Sequence, residues 1–299
     1  MGEKLTVSII IPTYGRPENL VRAINSVINQ SYKQWEVIVV DDNNPNTTER
    51  YETEKVMQLF NADNRIKYVC HDKNMNGSTA RNTGISIAKG EYISFLDDDD
   101  EYTYDRIEKC VRALSATDCN IAGVYTGCEF YKNSSVYRKK NNAKTGNYLV
   151  ETLATTFESY SGSNLFLKKE VVIELQGFDT SFIRHQDYEF LVRVFEKYDL
   201  IGINEILLKK YETWSNQPNI SRMENVKKQY LNKYRYIIDE LTEKDRKYIM
   251  YSNMISLALM SLEVNDDRFA YFYKSATKYK FPSLKDLARI IMLRLERKK

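Results

Sequence analysis

Histidine is scarce in this chain: only His71 and His185 occur in 299 residues. A histidine-rich zinc site is therefore disfavoured. Cysteine is also sparse. The four thiols, Cys70, Cys110, Cys119 and Cys128, form no C-x-x-C pair, so they are expected to be reduced and mostly buried in a cytosolic protein. No apolar run reaches the roughly 18 residues of a spanning helix. The start, Met1-Gly2-Glu3-Lys4, has no basic segment followed by an apolar one, so no signal peptide is expected, and it matches a myristoylation start poorly. An excess of one charge is missing as well: the formal net charge is +3, too small to argue for a nucleic-acid partner. No G-x-G-x-x-G follows the first strand and no G-x-x-x-x-G-K-[ST] occurs anywhere. Dinucleotide-dependent dehydrogenases and P-loop NTPases fit poorly.

What is present is the composition of a soluble globular chain, 42% apolar and 28% charged. Leu5 to Ile11 is a β-branched run stopped by Pro12 and reads as a buried strand. Pro17 opens a helix with Leu20, Ile24, Val27 and Ile28 on one face. Trp35 to Val40 is a second strand, Asn46 to Phe60 a polar helix, Ile66 to Cys70 a third strand, Ser78 to Lys89 a helix and Glu91 to Leu96 a fourth strand. This alternation predicts an α/β fold with a mostly parallel sheet covered by helices. Further on, Cys128 to Lys140 reads as a hairpin, Leu165 to Leu167 and Ile201 to Leu208 as strands, and a helix starts near Asp187. A linker is expected at Ser215 to Asn219. Beyond it lie amphipathic helices at Tyr230–Leu241, Asp245–Val264, Asp267–Tyr279 and Ser283–Lys299. The expected division is residues 1–214 (nucleotide side 1–100, acceptor side 101–214) and a helical region 215–299.

The fourth strand runs straight into Asp97-Asp98-Asp99-Asp100-Glu101. Five carboxylates in a row repel one another. Two readings stand: a cation-binding site, or a solvated acidic loop capping a helix over Tyr104–Ser115. Three polar loops, Thr13 to Arg16, Asp41 to Asn44 and Asp97 to Glu101, fall at strand carboxyl ends, where open α/β sheets bind ligands. That coincidence favours the site.

The ordered set Ile11-Pro12-Thr13-Tyr14-x-Arg16, Val40-Asp41-Asp42-Asn43, Asn76-Gly77-x-x-x-Arg81-Asn82-x-Gly84, Phe95-Leu96-Asp97-Asp98-Asp99-Asp100, Gly177-Phe178-Asp179 and Gln186-Asp187-Tyr188-Glu189-Phe190 resembles the family 2 glycosyltransferases. The resemblance covers roughly residues 5 to 210. It implies a GT-A fold and an inverting, metal-dependent transfer from a nucleotide-sugar donor to a glycan or lipid-linked glycan acceptor, of the bacterial surface-polysaccharide type. It places nucleotide recognition at Thr13, Tyr14, Arg16, Asp41, Asp42 and Arg81, with Asp97 and Asp98, and implies the base at Asp187. Where the family usually has Glu, this chain has Gln186.

Physical roles stand beside that. In an extended segment residues two apart share a side, so Asp97 and Asp99 can reach one Mg²⁺ or Mn²⁺, with Asp99 the direct ligand and Asp100 in support. Asp42-Asn43 also reads as an Asx-turn, Arg81 as a surface partner of the acidic run, and Asp187 as a helix N-cap. Tyr160, Ser161 to Asn164 and Trp214 are candidates for the acceptor side. The last segment is a basic amphipathic helix. It can lie on an anionic membrane surface, giving a cytoplasmic enzyme peripheral to the inner face of the membrane, or simply dock on the domain. Competing functions are an inactive nucleotide-sugar-binding scaffold, which would have lost an acidic ligand or the base, and a nucleotidyltransferase, which would want a Gly-rich, Lys-bearing first loop.

Overall fold

The computed structural model describes residues 7–115, 117, 120–212 and 219–296. Cys119, Trp214, residues 215–218 of the expected linker and the last three residues lie outside them. Two compact units divide the described chain: residues 7–147 with 159–212, and residues 148–158 with 219–296.

The first unit opens with β1 (Val7–Thr13), whose Val7, Ile9, Ile10 and Ile11 are fully buried. Covering on both faces is what a parallel strand between helix layers requires. Pro17 begins α1 (Pro17–Ile28), which lays Leu20, Ala23, Ile24 and Val27 into the core with Trp35. Then follow β2 (Trp35–Asp41), buried throughout, α2 (Thr48–Gln58), β3 (Ile66–Cys70), α3 (Gly77–Ile87) and β4 (Tyr92–Phe95). Asn76 caps α3, its side chain accepting from the N–H groups of Ser78 and Thr79. The strands β3, β2, β1 and β4 are adjacent and parallel. Because β1 lies between β2 and β4, the sheet has its switch point at the carboxyl end of β1.

The acidic run does not cap a helix. Asp100 begins a short strand, β5 (Asp100–Tyr102), and α4 (Arg106–Leu114) starts later than expected, with Asp105 at its N-cap and no side-chain cap bond. After β6 (Ile121–Lys132) and β7 (Ser135–Lys140) comes α5 (Leu149–Leu153), which belongs to the second unit. The β6–β7 hairpin closes through Asn133 and Ser134, both at positive φ, the geometry of a tight hairpin turn. A 3-10 turn at Gly162–Asn164 leads into β8 (Phe166–Lys168), α6 (Lys169–Glu174), α7 (Gln186–Phe195) and β9 (Asp199–Tyr211). The mixed, mostly parallel sheet runs β3-β2-β1-β4-β8-β6-β9-β5, with β7 on β6. Aspartates are poor strand formers. Here β5 is held by opposite charge on its antiparallel neighbour: Asp100 pairs with Lys210 and Glu101 with Lys209, each at 2.7 Å. Of the thiols, Cys110 and Cys128 are buried and Cys70 is exposed.

Gly84 of α3 sits on β1 so closely that a Cβ there would lie 2.4 Å from Ile10 Cγ2. Gly84→Ala is expected to destabilise the unit by about 1–3 kcal/mol through overpacking, opposed by up to about 1 kcal/mol of helix propensity. A lower denaturation midpoint at unchanged slope checks this.

The second unit is helical: α8 (Ile220–Lys233), α9 (Arg235–Glu240), α10 (Glu243–Glu263), α11 (Phe269–Thr277) and α12 (Leu284–Glu296). The single helix expected over Tyr230–Leu241 is two, meeting at Tyr234. Leu257, Ala258, Leu262, Phe272 and Ala276 form its core. Among the described residues no helix is long and apolar enough to cross a membrane.

Lys227 of α8 is 3% exposed, its ammonium held by neutral oxygens, Thr155 Oγ1 at 3.0 Å and Asn253 Oδ1 at 2.9 Å. Burial pushes its pKa down to about 7. Between there and the unfolded-chain value of about 10.4, the unfolded state binds the extra proton, so stability rises with pH. Helix unfolding followed by circular dichroism at pH 7 and pH 9 should show this gain, and Lys227→Met should flatten it.

Candidate active site

The loops after β1, β2 and β4 interlock. The Asp42 N–H donates to the Thr13 carbonyl at 2.9 Å, the Gly15 N–H to Asn43 Oδ1 at 2.8 Å, and the Thr13 hydroxyl to Asp98 Oδ2 at 2.8 Å. Gly15 takes φ +71°, which glycine adopts without strain. Tyr14, between these anchors, is exposed.

Asp97 to Asp100 do not continue as an extended strand. They form a tight turn, closed by the Asp100 N–H donating to the Asp97 carbonyl at 3.0 Å. The segment is a turn rather than the extended chain expected, yet Asp97 and Asp99 still meet and Asp98 still faces elsewhere. Asp97, Asp99 and Asp100 each bring a carboxylate oxygen within 4.8 Å of the others, while Asp98 turns inward to Thr13 and Arg16. Asp100 is thus a full member of the cluster rather than a supporting one. Its Oδ1 is buried without a hydrogen-bond partner. An all-carboxylate set with an orphaned oxygen suits a hard divalent cation, so these residues fit Mg²⁺ or Mn²⁺.

Cations surround the cluster. Arg16 pairs with Asp98 at 2.6 Å and also with Asp99. Arg22 donates to the Asp99 carbonyl at 2.7 Å and lies over the Tyr211 ring. Lys210 pairs with Asp100 and donates to Ser161 Oγ at 3.1 Å. Burial pushes Asp98 up to about 7 against the pull of Arg16, and Asp100 up to about 6 against Lys210. Burial acts on Asp97 in the same direction, but Arg81 and Lys210 outweigh it and hold its pKa below the usual value.

Asp41 and Asp42 build the second loop. Asp41 Oδ1 accepts from both the backbone and side-chain N–H of Asn43, and its Oδ2 meets Tyr68 Oη and Arg50. The Asx-turn is therefore at Asp41, one residue before the position read from sequence. Asp42 meets His71 Nδ1 at 2.8 Å, Asn74 Nδ2 at 2.8 Å and the Met75 N–H at 2.7 Å. Both carboxylates are buried.

Arg81 is buried, not a surface partner. It donates to Asp97 Oδ1 at 2.7 Å and to Gln186 Oε1 at 2.9 Å. Gln186 therefore acts as a neutral acceptor that helps hold Arg81. Asp187 is not an N-cap: it is the second residue of α7, and His185, at φ +60°, holds the cap position. Asp187 Oδ1 is buried without a partner. Burial raises its pKa, the Arg81 charge opposes that, and the Gly162 N–H also favours the ionised form. A Cβ on Gly162 would come 2.9 Å from Asp187 Oδ1, so a larger residue there would push the Asp187 carboxylate aside.

Ser163, read from sequence only as part of an acceptor-side loop, and Lys210, not singled out at all, also belong to the site. Ser163 Oγ accepts the Asp97 N–H at 2.9 Å and donates to Asp100 Oδ2 at 2.6 Å. With Gly162 against Asp187, the Ser161–Asn164 loop ties the carboxylate cluster to Asp187. The only signal for Lys210 is its charge at the end of a strand pattern.

A mixed, mostly parallel sheet, a carboxylate cluster at its switch point and a separate aspartate with an unpartnered buried oxygen are the arrangement of a GT-A glycosyltransferase. The family model for glycosyl transferase family 2 matches residues 8–176, and the chain belongs to that family. The amylovoran biosynthesis glycosyltransferase AmsB of Erwinia amylovora is 26% identical over 213 residues, 68% of this chain and 67% of that protein. The UDP-Glc:alpha-D-GlcNAc-diphosphoundecaprenol beta-1,3-glucosyltransferase WfgD of Escherichia coli is 26% identical over 228 residues, 75% of this chain and 83% of its own. The mannosyltransferase PcManGT of Pyrobaculum calidifontis, solved with GDP-Man and Mn²⁺, shares the fold with a TM-score of 0.58 at 16% identity, covering 97% of this chain and 80% of that one.

Proposed function

We propose that this chain catalyses an inverting sugar transfer from a UDP- or dTDP-sugar to a hydroxyl of a lipid-linked glycan, in the synthesis of a bacterial surface polysaccharide. The observation that carries it is the division of the site by Arg81. On one side stands a carboxylate triad fit for a divalent ion, on the other an aspartate, Asp187, whose Oδ1 has no hydrogen-bond partner. The relative named for UDP-Glc and a diphosphoundecaprenol acceptor supports the donor and acceptor classes.

Asp99, Asp97 and Asp100 would hold Mg²⁺ or Mn²⁺, which supplies charge neutralisation for the departing diphosphate. Thr13, Tyr14 and the loop shaped by Asp41 and Asp42 frame the base. Asp41, with its lone pairs taken by Asn43, Tyr68 and Arg50, positions that loop. Arg16 and Arg81 place positive charge beside the diphosphate, and Asp98 orients Arg16. Asp187 takes the proton of the acceptor hydroxyl; that oxygen attacks the anomeric carbon, and the bond to the diphosphate breaks with its electron pair leaving on the diphosphate oxygen. Burial of Asp187 raises its basicity for this role.

A panel of nucleotide sugars assayed for nucleotide release with Mn²⁺ or Mg²⁺ tests the reading. Release from a UDP- or dTDP-sugar is expected. If neither class binds or turns over, the transferase proposal fails and an inactive binding protein takes its place. That reading is disfavoured here because triad and base are all present.

A further inference from the structure

α12 is apolar on two opposite faces. One face is docked: Ile290 and Leu293, 6% and 9% exposed, join the core of the second unit, Asp286 accepts from Tyr251 Oη at 2.7 Å, and Arg289 pairs with Glu263 at 2.7 Å. The other face is open. Leu284, Ile291 and Leu295, spaced to share one side of a helix, are 87%, 59% and 59% exposed, with Met292 at 52% beside them. An amphipathic helix docked on its own fold normally turns its second face polar, so a second apolar stripe needs an apolar medium.

Charge says which medium. Residues 269–299 carry nine Lys and Arg against two carboxylates, +7 in a chain of net +3, which leaves −4 for everything before them. Lys285 and Arg294 flank the open stripe, and Asp286 is turned to the docked side. A second copy of so basic a surface would repel it, whereas an anionic bilayer attracts the cations and takes up the stripe.

We propose that the open face of α12 is a docking surface for an anionic phospholipid membrane. The helix lies in the interface with Leu284, Ile291 and Leu295 below the headgroups and the flanking cations among the phosphates. The proposal stands apart from the transferase reading, since binding is measured without substrate.

The test is co-sedimentation of the full chain with vesicles of phosphatidylcholine alone or mixed with phosphatidylglycerol. Binding is expected to the anionic vesicles only, and to weaken as salt is raised. Ile291→Glu with Leu295→Glu should abolish it while far-ultraviolet circular dichroism and thermal midpoint stay as in the parent, both sites being exposed. Lys285→Ser with Arg294→Ser should weaken it roughly fivefold per cation. Leu284→Trp supplies a reading on the unaltered stripe: its emission should shift to the blue with anionic vesicles and not with neutral ones. Absence of binding, equal binding to neutral vesicles, retention by the double Glu variant, or an unshifted Trp would overturn the proposal. So would a dimer in solution that the double Glu variant dissociates without any vesicle binding, which would make the face an interface between copies.

Discussion

Asp187→Asn should leave donor binding within a few-fold of the parent and cut transfer by about 10²–10⁴. The substitution keeps size and hydrogen-bonding reach but removes the carboxylate assigned to accept the proton. The pH profile is the finer reading. Burial holds the Asp187 carboxyl above the usual carboxylate range, against Arg81. Transfer by the parent should therefore fall as pH drops through that raised pKa, because the protonated form cannot act as a base. In Asp187→Asn this acidic limb should vanish along with the rate. Because Arg81 feels both Asp97 and Asp187, donor binding measured by calorimetry is the control for a disturbed arginine. Near-normal turnover would reduce Asp187 to a buttress of Arg81.

Asp99→Asn should cost more than about a hundredfold in metal-dependent donor affinity, since even outer-shell partners of metal ligands cost 10–100-fold. Arg16 keeps Asp98 as a partner in this variant, so the loop after β1 stays anchored. Calorimetry of UDP binding with and without Mn²⁺ separates the outcomes. Loss of the metal-dependent part alone is expected. Unchanged affinity would remove Asp99 from the ligand set. Asp100→Asn is the companion variant: its Oδ1 is the orphaned oxygen, so it should lose affinity too. The supporting role read from sequence would instead make its loss smaller than that of Asp99→Asn.

These variants bear on different bonds of the same step. One removes the acceptor of a proton on the attacking side, the other a ligand for charge on the leaving side. Opposite patterns in binding and turnover therefore distinguish them even where both lose activity.

Much of this protein was legible in its residues. The β-branched run of β1, the punctuation at Pro12 and Pro17, and the alternation up to Phe95 specify strands and helices through local periodicity, which needs no tertiary information. The polar strand ends followed from that alternation alone, and with them the part of the chain proposed to bind the donor. The ordered motifs then named the family, and the match over residues 8–176 agrees.

Tertiary structure decided what local pattern cannot carry. Whether Asp97 to Asp100 turns or extends depends on β9, 110 residues away from Asp100, whose Lys210 makes an aspartate-led strand tolerable. The turn then puts Asp100 in the cluster and sends Asp98 inward. The two-residue rule already separates Asp98 from Asp97 and Asp99, but it could not foresee Asp100 joining them, because it applies only to chain that stays extended. The Asx-turn fell at Asp41, and Asp187 moved off the N-cap because His185 took a left-handed conformation ahead of it. Gln186 acquired a role only once α3 brought Arg81 alongside it. For α12, periodicity marked a basic amphipathic helix, but a helix apolar on two sides does not announce which side is docked. That choice is made by burial of Ile290 and Leu293 against the rest of the unit, a contact between segments distant in the chain, and it is what left Leu284, Ile291 and Leu295 facing outward.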